Sequence, residues 1–126
     1  MIRFAIIFAA LSGLIAVALG AFGMHALKEV VSPERLSTWQ TAVFYQFIHT
    51  IAIIGVIALS HHLSPLWKKS ILLFILGILC FSGSLYTLVL ADGIGKFALI
   101  TPMGGLCFIF GWLCLALSAL PIKSNT

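Results

Sequence analysis

Tyr45, Gln46 and His49 lie within one turn and a half of any helix, in the stretch TWQTAVFYQFIHT (residues 38–50). A phenol, a carboxamide and an imidazole can between them donate, accept and pass a proton. The next nine residues, 51–59, are almost pure hydrocarbon. His25, Ser82, Ser84, Tyr86 and Thr101 join the same set once the spans described below are folded together. These eight residues form a candidate ligand-binding cluster. His49 carries two readings. It is a neutral ring bonded to Gln46, Tyr45 or a serine of the third segment, holding helices together, or it is a ligand or proton site. Haem ligation by His25 and His49 is disfavoured, because the two lie at different depths.

Other chemistry is poorly represented. No acid–base pair and no nucleophile–base spacing occurs. His61 and His62 are adjacent, so their rings point in different directions, and no third ligand is near. Cys80, Cys107 and Cys114 lie inside apolar runs, with neither CxxC nor Cys/His metal spacing, and read as small buried packing residues. The expectation is no catalytic residue, no metal, no cofactor and no disulfide framework.

The elements that must position the cluster follow from composition. Of 126 residues, 62% are hydrophobic and 8% charged, against about 25% charged in a soluble domain. Too little polar surface exists to cover a globule in water, so lipid is the solvent. The net charge of +4 comes from basic residues scattered at segment ends. That placement suits lipid headgroups and not nucleic acid.

Four apolar segments emerge, over about residues 4–24, 39–60, 70–90 and 97–120. A span needs roughly 20 residues to cross a ~30 Å core. The fold class is all-α: an integral membrane antiparallel bundle of four transmembrane helices in one domain, 1–126. Segment one has a rival reading as a secretory signal after Arg3, but signal cores usually run only about 7–15 residues. Residues 25–38 form an interfacial segment, within which Ser32 caps and Pro33 opens the second helix, with Glu34 in its first turn. Residues 61–65 break that helix. Trp39 and Trp67 read as headgroup-level belt residues, while Trp112 lies deeper, against lipid or a neighbour. Residues 91–96 read as a tight polar turn with permissive glycines. Pro102 is expected to kink the fourth helix.

Three stripes of small residues follow helical spacing: Ala9, Gly13, Ala16, Gly20 and Gly23; Gly77, Cys80, Ser84 and Thr87; Gly104, Cys107, Gly111, Cys114 and Ser118. Small residues let helices approach closely in lipid. Three stripes exceed what one bundle must hide, so the expectation includes a homo-oligomer or another membrane-protein partner. Four spans put both termini on one side. Arg3, Lys68, Lys69 and Lys123 fall there, against Lys28, Arg35 and Lys96 opposite, which favours cytoplasmic termini.

At a rise of ~1.5 Å per residue, the eight cluster residues gather in the half of the bundle nearer the first and third connections. The other half holds almost no polar side chain, Ser12 and Ser118 excepted. No Asp, Glu, Lys or Arg lies deep in a span, so a proton-driven transporter is disfavoured. What remains is a half-depth polar cluster, opening if at all toward the first connection.

Four motifs in order, GAFGMHALK (20–28), WQTAVFYQFIH (39–49), FSGSLY (81–86) and ITPMGGLCFIFGW (100–112), resemble the YgdD/YwdK family. This is a family of small four-span bacterial inner-membrane proteins held as a domain of unknown function, with a relative in animals. The resemblance covers nearly the whole chain. Met24 stands where the family pattern has alanine. It implies a multi-pass protein of the bacterial inner membrane and brings no reaction, cofactor or catalytic residue with it. The sequence therefore points first to a non-enzymatic structural or interaction protein, supporting membrane or envelope integrity or a membrane complex. The alternative is a protein that binds or transports a small or lipidic molecule through the polar cluster.

Overall fold

The computed structural model describes residues 1–91 and 98–121. All but the first residue of the turn expected over residues 91–96, the segment-four start at Phe97 and the tail with Lys123 lie outside the described residues. Every regular element among the described residues is helical. Helix α1 (Ile2–His25) is apolar apart from Arg3 near its start, Ser12 midway and His25 at its end. A single 3₁₀ turn, Leu27–Glu29, leads to α2 (Pro33–Leu59). Ser32 accepts a hydrogen bond from the Arg35 N–H at 3.3 Å, with Pro33 in the first turn. A proline there loses no helical bond, because first-turn N–H groups have no partner inside the helix.

After the turn Ser60–His62 the chain enters α3 (Trp67–Gly77), a π-helical turn (Ile78–Ser82) and α4 (Gly83–Leu90). The three run on as one apolar span, Trp67–Leu90. Helix α5 (Ile100–Ser118) closes the chain. Four helical stretches are long and apolar enough to cross a membrane. Pro102 falls in the first turn of α5. The kink expected there has no cause, because Pro102 removes no interior helical bond.

Helix α1 packs mainly on α2, and α5 mainly on α3 and the π turn; α2 joins the two pairs by lying against α3, the π turn and α4. Lipid is as apolar as leucine, so close contact must hold these pairs together. Glycines allow it. A Cβ at Gly23 would stand 2.6 Å from Trp39 Cδ1, and one at Gly111 would stand 2.7 Å from Phe74 Cδ1. Phe108 closes over Gly77 in the same way, and Gly104 lies on the backbone of Phe81. Members of all three small-residue stripes are thus used inside one chain, so the stripes themselves do not call for a second copy. The central core is built from Ile53 and Val56 of α2, Ile71 and Phe74 of α3, and Ala5 and Ala9 of α1.

Trp39 and Trp67 are 2% and 8% exposed, and neither is a belt residue at the bundle surface. Trp39 turns inward and donates from Nε1 to the Leu19 carbonyl at 2.8 Å, an approach that the missing Gly23 side chain permits. Trp67 packs into the central core. His61 and His62 are exposed in the turn after α2.

Candidate functional site

Residues 42, 46, 49, 53 and 56 share one buried face of α2, spaced by three and four. Gln46 and His49 therefore both point into the bundle, while Tyr45 lies at its edge, 38% exposed. Gln46 is the hub of a network spanning three helices. Tyr86 of α4 donates its hydroxyl proton to Gln46 Oε1 at 2.6 Å. Gln46 Nε2 donates to the Ser12 carbonyl at 2.9 Å and to Ser12 Oγ at 3.3 Å. Ser12 Oγ lies 2.8 Å from Thr50 Oγ1. Ser12, Gln46 and Thr50 are each buried. Each member is partnered by another, so the network closes on itself.

His49 is held separately. Its Nδ1 lies 2.7 Å from the Tyr45 carbonyl, and its Nε2 lies 3.1 Å from Trp112 Nε1. An indole N–H can only donate. Nε2 is therefore the acceptor, and the ring proton sits on Nδ1, which donates to the carbonyl. The imidazole is neutral and both nitrogens are used. Its face stacks on Phe108, centroids 3.6 Å apart and planes at 11°. Of the bonding partners expected for His49, only Tyr45 serves, through its backbone. Gln46 and the segment-three serines bond elsewhere, and Trp112 takes their place. The ring has no open position for a haem iron or metal without first losing Trp112.

The π turn sets the serines. Its wider winding re-aims the residues that follow. Ser82 donates to the Ala42 carbonyl of α2 at 2.7 Å. Ser84 donates to the Phe81 carbonyl at 2.9 Å, and its oxygen lies 2.5 Å from Thr101 Oγ1. Ser84 has one proton and spends it on Phe81, so Thr101 is the donor between them. His25 is exposed at the end of α1, outside both arrangements. The eight candidates thus divide. Gln46 and Tyr86 share a network, and Ser84 and Thr101 form a pair. Ser82 and His49 bond elsewhere in the chain, and Tyr45 and His25 stand at the surface.

Ser12, Gln46 and Thr50 of the polar network are buried and do not line the groove beside it. That groove, of about 560 Å³, lies between α2 and α5 and is lined by Tyr45, His49, Phe81, Phe108 and Trp112 among others. It opens at the bundle flank, where Leu106 and Ile109 are exposed. Its lining is almost wholly apolar. The Tyr45 hydroxyl at its edge makes no hydrogen bond among the described residues.

The family profile described as "Protein of unknown function (DUF423)" matches residues 19–105. The chain belongs to this family. Among DUF423 relatives, it is 41% identical over 122 residues to the UPF0382 inner membrane protein YgdD of Escherichia coli (strain K12), covering 96% of this chain and 92% of that one. It is 44% identical over 115 residues to a UPF0382 membrane protein of Staphylococcus aureus, covering 90% and 92%. A UPF0382 membrane protein of Haemophilus influenzae is 39% identical over 115 residues, with 91% and 92% covered. No solved structure matches. Four apolar helices and relatives named as membrane proteins make this DUF423 chain a multi-pass integral membrane protein.

Two residues of the network escaped the sequence reading. Thr50 stands four residues after Gln46 and shares its face, so the spacing contained the signal. Ser12 continues the buried series Ala5, Ala9, Ser12, Ala16, whereas the stripe read from glycines ran one residue away, through Gly13. Trp112 carried no such signal. Its bond to His49 exists only because α5 lies across α2 at that level.

Proposed function

We propose that this protein is a non-enzymatic structural or interaction component of the bacterial inner membrane, acting through its outer surface on a membrane complex or on envelope integrity. One observation carries this reading: the buried polar groups around Gln46 and His49 are bonded within the chain. The Tyr86–Gln46–Ser12–Thr50 network closes within the chain, and His49 uses both nitrogens internally. A transporter or enzyme keeps such groups available to substrate. The occupant of the outer surface is a membrane-protein partner or a second copy. The exposed faces of α1 and α5, which carry Ile7, Leu14, Val17, Met103, Ile109 and Phe110, are broad enough for either.

The test is reconstitution into proteoliposomes with a trapped pH-sensitive dye and an imposed proton gradient. The gradient should decay no faster than in protein-free vesicles. A protein-dependent decay abolished by Gln46→Leu would overturn the reading.

The alternative, binding of a small or lipidic molecule, gains no support from the closed network. Its remaining location is the groove beside Tyr45. Native mass spectrometry separates the two readings: a stoichiometric adduct lost in Tyr45→Ala favours the groove, and its absence favours the structural role.

We infer that both termini lie in the cytoplasm. Arg3, Lys68 and Lys69 support this, being together on the terminus side. A Lys123→Cys variant should react with a membrane-impermeant maleimide only after the inner membrane is permeabilised. Labelling in intact spheroplasts would reverse the topology.

A further inference from the structure

Charge is divided unevenly between the two ends of the bundle. Among the described residues both acidic side chains lie at one end, Glu29 in the first connection and Glu34 in the first turn of α2, along with Lys28 and Arg35. Arg3, Lys68 and Lys69 share the opposite end with no acidic side chain. Helices α1 and α3 both start at that end. Neither has an acidic residue in its first turn or a side-chain cap, so the positive ends of both helix dipoles face the same level.

Between these two starts lies a cleft of about 470 Å³, lined by Met1, Ile2, Arg3, Trp67 and Lys68. Arg3 and Lys68 form no ion pair among the described residues. The Lys68 ammonium lies 5.8 Å from the centroid of the Trp67 ring, which keeps it beside the cleft. Trp67 is 8% exposed, yet its indole N–H has no hydrogen-bond partner among the described residues. Two unpaired cations and the Trp67 ring thus line one cleft where two helices begin.

We propose that this cleft binds the phosphate of an anionic phospholipid. The Arg3 guanidinium offers paired N–H groups matched to two phosphate oxygens, and Lys68 adds a compact charge. The acyl chains then run over exposed apolar residues of the flanking helices, Ile2 and Ile6 on α1 and Leu72 on α3. Charge complementarity selects the anionic class. A zwitterionic headgroup would bring its own cation into a cleft that is already cationic.

The site is tested on the full-length protein in nanodiscs of phosphatidylcholine with increasing phosphatidylglycerol, counting retained lipids by native mass spectrometry. One phosphatidylglycerol per chain should be retained in preference to phosphatidylcholine. Arg3→Gln and Lys68→Gln should each weaken retention about fivefold, the value of one basic side chain at an anionic surface. Arg3→Lys should restore part of it. Lys69→Gln removes the same charge one residue away, outside the cleft lining, and should leave retention within twofold. Equal retention of both lipids would overturn the proposal. So would an equal loss from Lys69→Gln, which would reduce the effect to a diffuse surface field. Release by millimolar inorganic phosphate would assign the cleft to a soluble anion and also overturn it.

Discussion

At the contact between α1 and α2, polar atoms meet: Gln46 reaches Ser12 and Trp39 reaches the Leu19 carbonyl. At the contact between α3 and α5, rings meet glycines: Phe74 lies over Gly111, and Phe108 over Gly77. Both contacts face the same difficulty, because moving an apolar side chain from lipid to protein gains little. The α1–α2 pair answers it with directional bonds, which fix rotation and register. The α3–α5 pair answers it with reciprocal shape, which gains dispersion contacts that lipid tails fill less well. His49 stands where the two meet, bonded within α2, accepting from Trp112 and stacked on Phe108 of α5.

The shape-based contact should fail most sharply. At Gly104 an added Cβ would lie 2.8 Å from Phe81 Cα, and backbone cannot swing aside as a ring can. Gly104→Ala is expected to lower unfolding stability in mixed micelles by about 3 kcal/mol. Gly55→Ala is the control, since nothing lies within 4 Å of its added Cβ; it should stay within about 1 kcal/mol of the parent. Similar losses at both sites would mean that close packing does not distinguish the pairs.

The bond-based contact comes next. Gln46→Leu strands the Tyr86 hydroxyl and deprives Ser12 of its donor, an expected loss of about 2 kcal/mol. His49→Ala at the junction removes one interhelical bond and a stacked ring, and should cost about 1.5 kcal/mol by the same unfolding assay. Unchanged melting of His49→Ala with loss of cellular function would reassign His49 from packing to a site.

The smallest effect is expected at Ser70. Its hydroxyl is fully buried and is the only such side-chain atom without a partner among the described residues. Ser70→Ala should be neutral or stabilising by up to about 1 kcal/mol, because it removes a desolvated group that gains nothing. A clear loss would point to a bond between Ser70 and a water or ligand.

The spans and the start of α2 were legible because they depend on local sequence. An apolar run of spanning length and the Ser32–Pro33 pair act through their own neighbours. The candidate cluster was legible only as a list of polar types at similar depth. Which of them meet depends on helix rotation and on the π turn, and neither is written in local pattern. Ser82 and Ser84 are two residues apart, yet one bonds α2 and the other α5. Trp39 misled for a related reason. A tryptophan near a helix start reads as a belt residue unless Gly23, on a different helix, is known to lie beneath it.

The central claim is that the deep polar groups are bonds between helices and not a path or a site. A double-mutant cycle on Gln46→Leu and Tyr86→Phe, read by unfolding in lipid bicelles, tests it most directly. The account predicts that the pair together costs about 1 kcal/mol less than the sum of the single losses, since each substitution already breaks the shared bond. Losses that add within about 0.3 kcal/mol would contradict it, because the Tyr86 hydroxyl would then contribute nothing through Gln46.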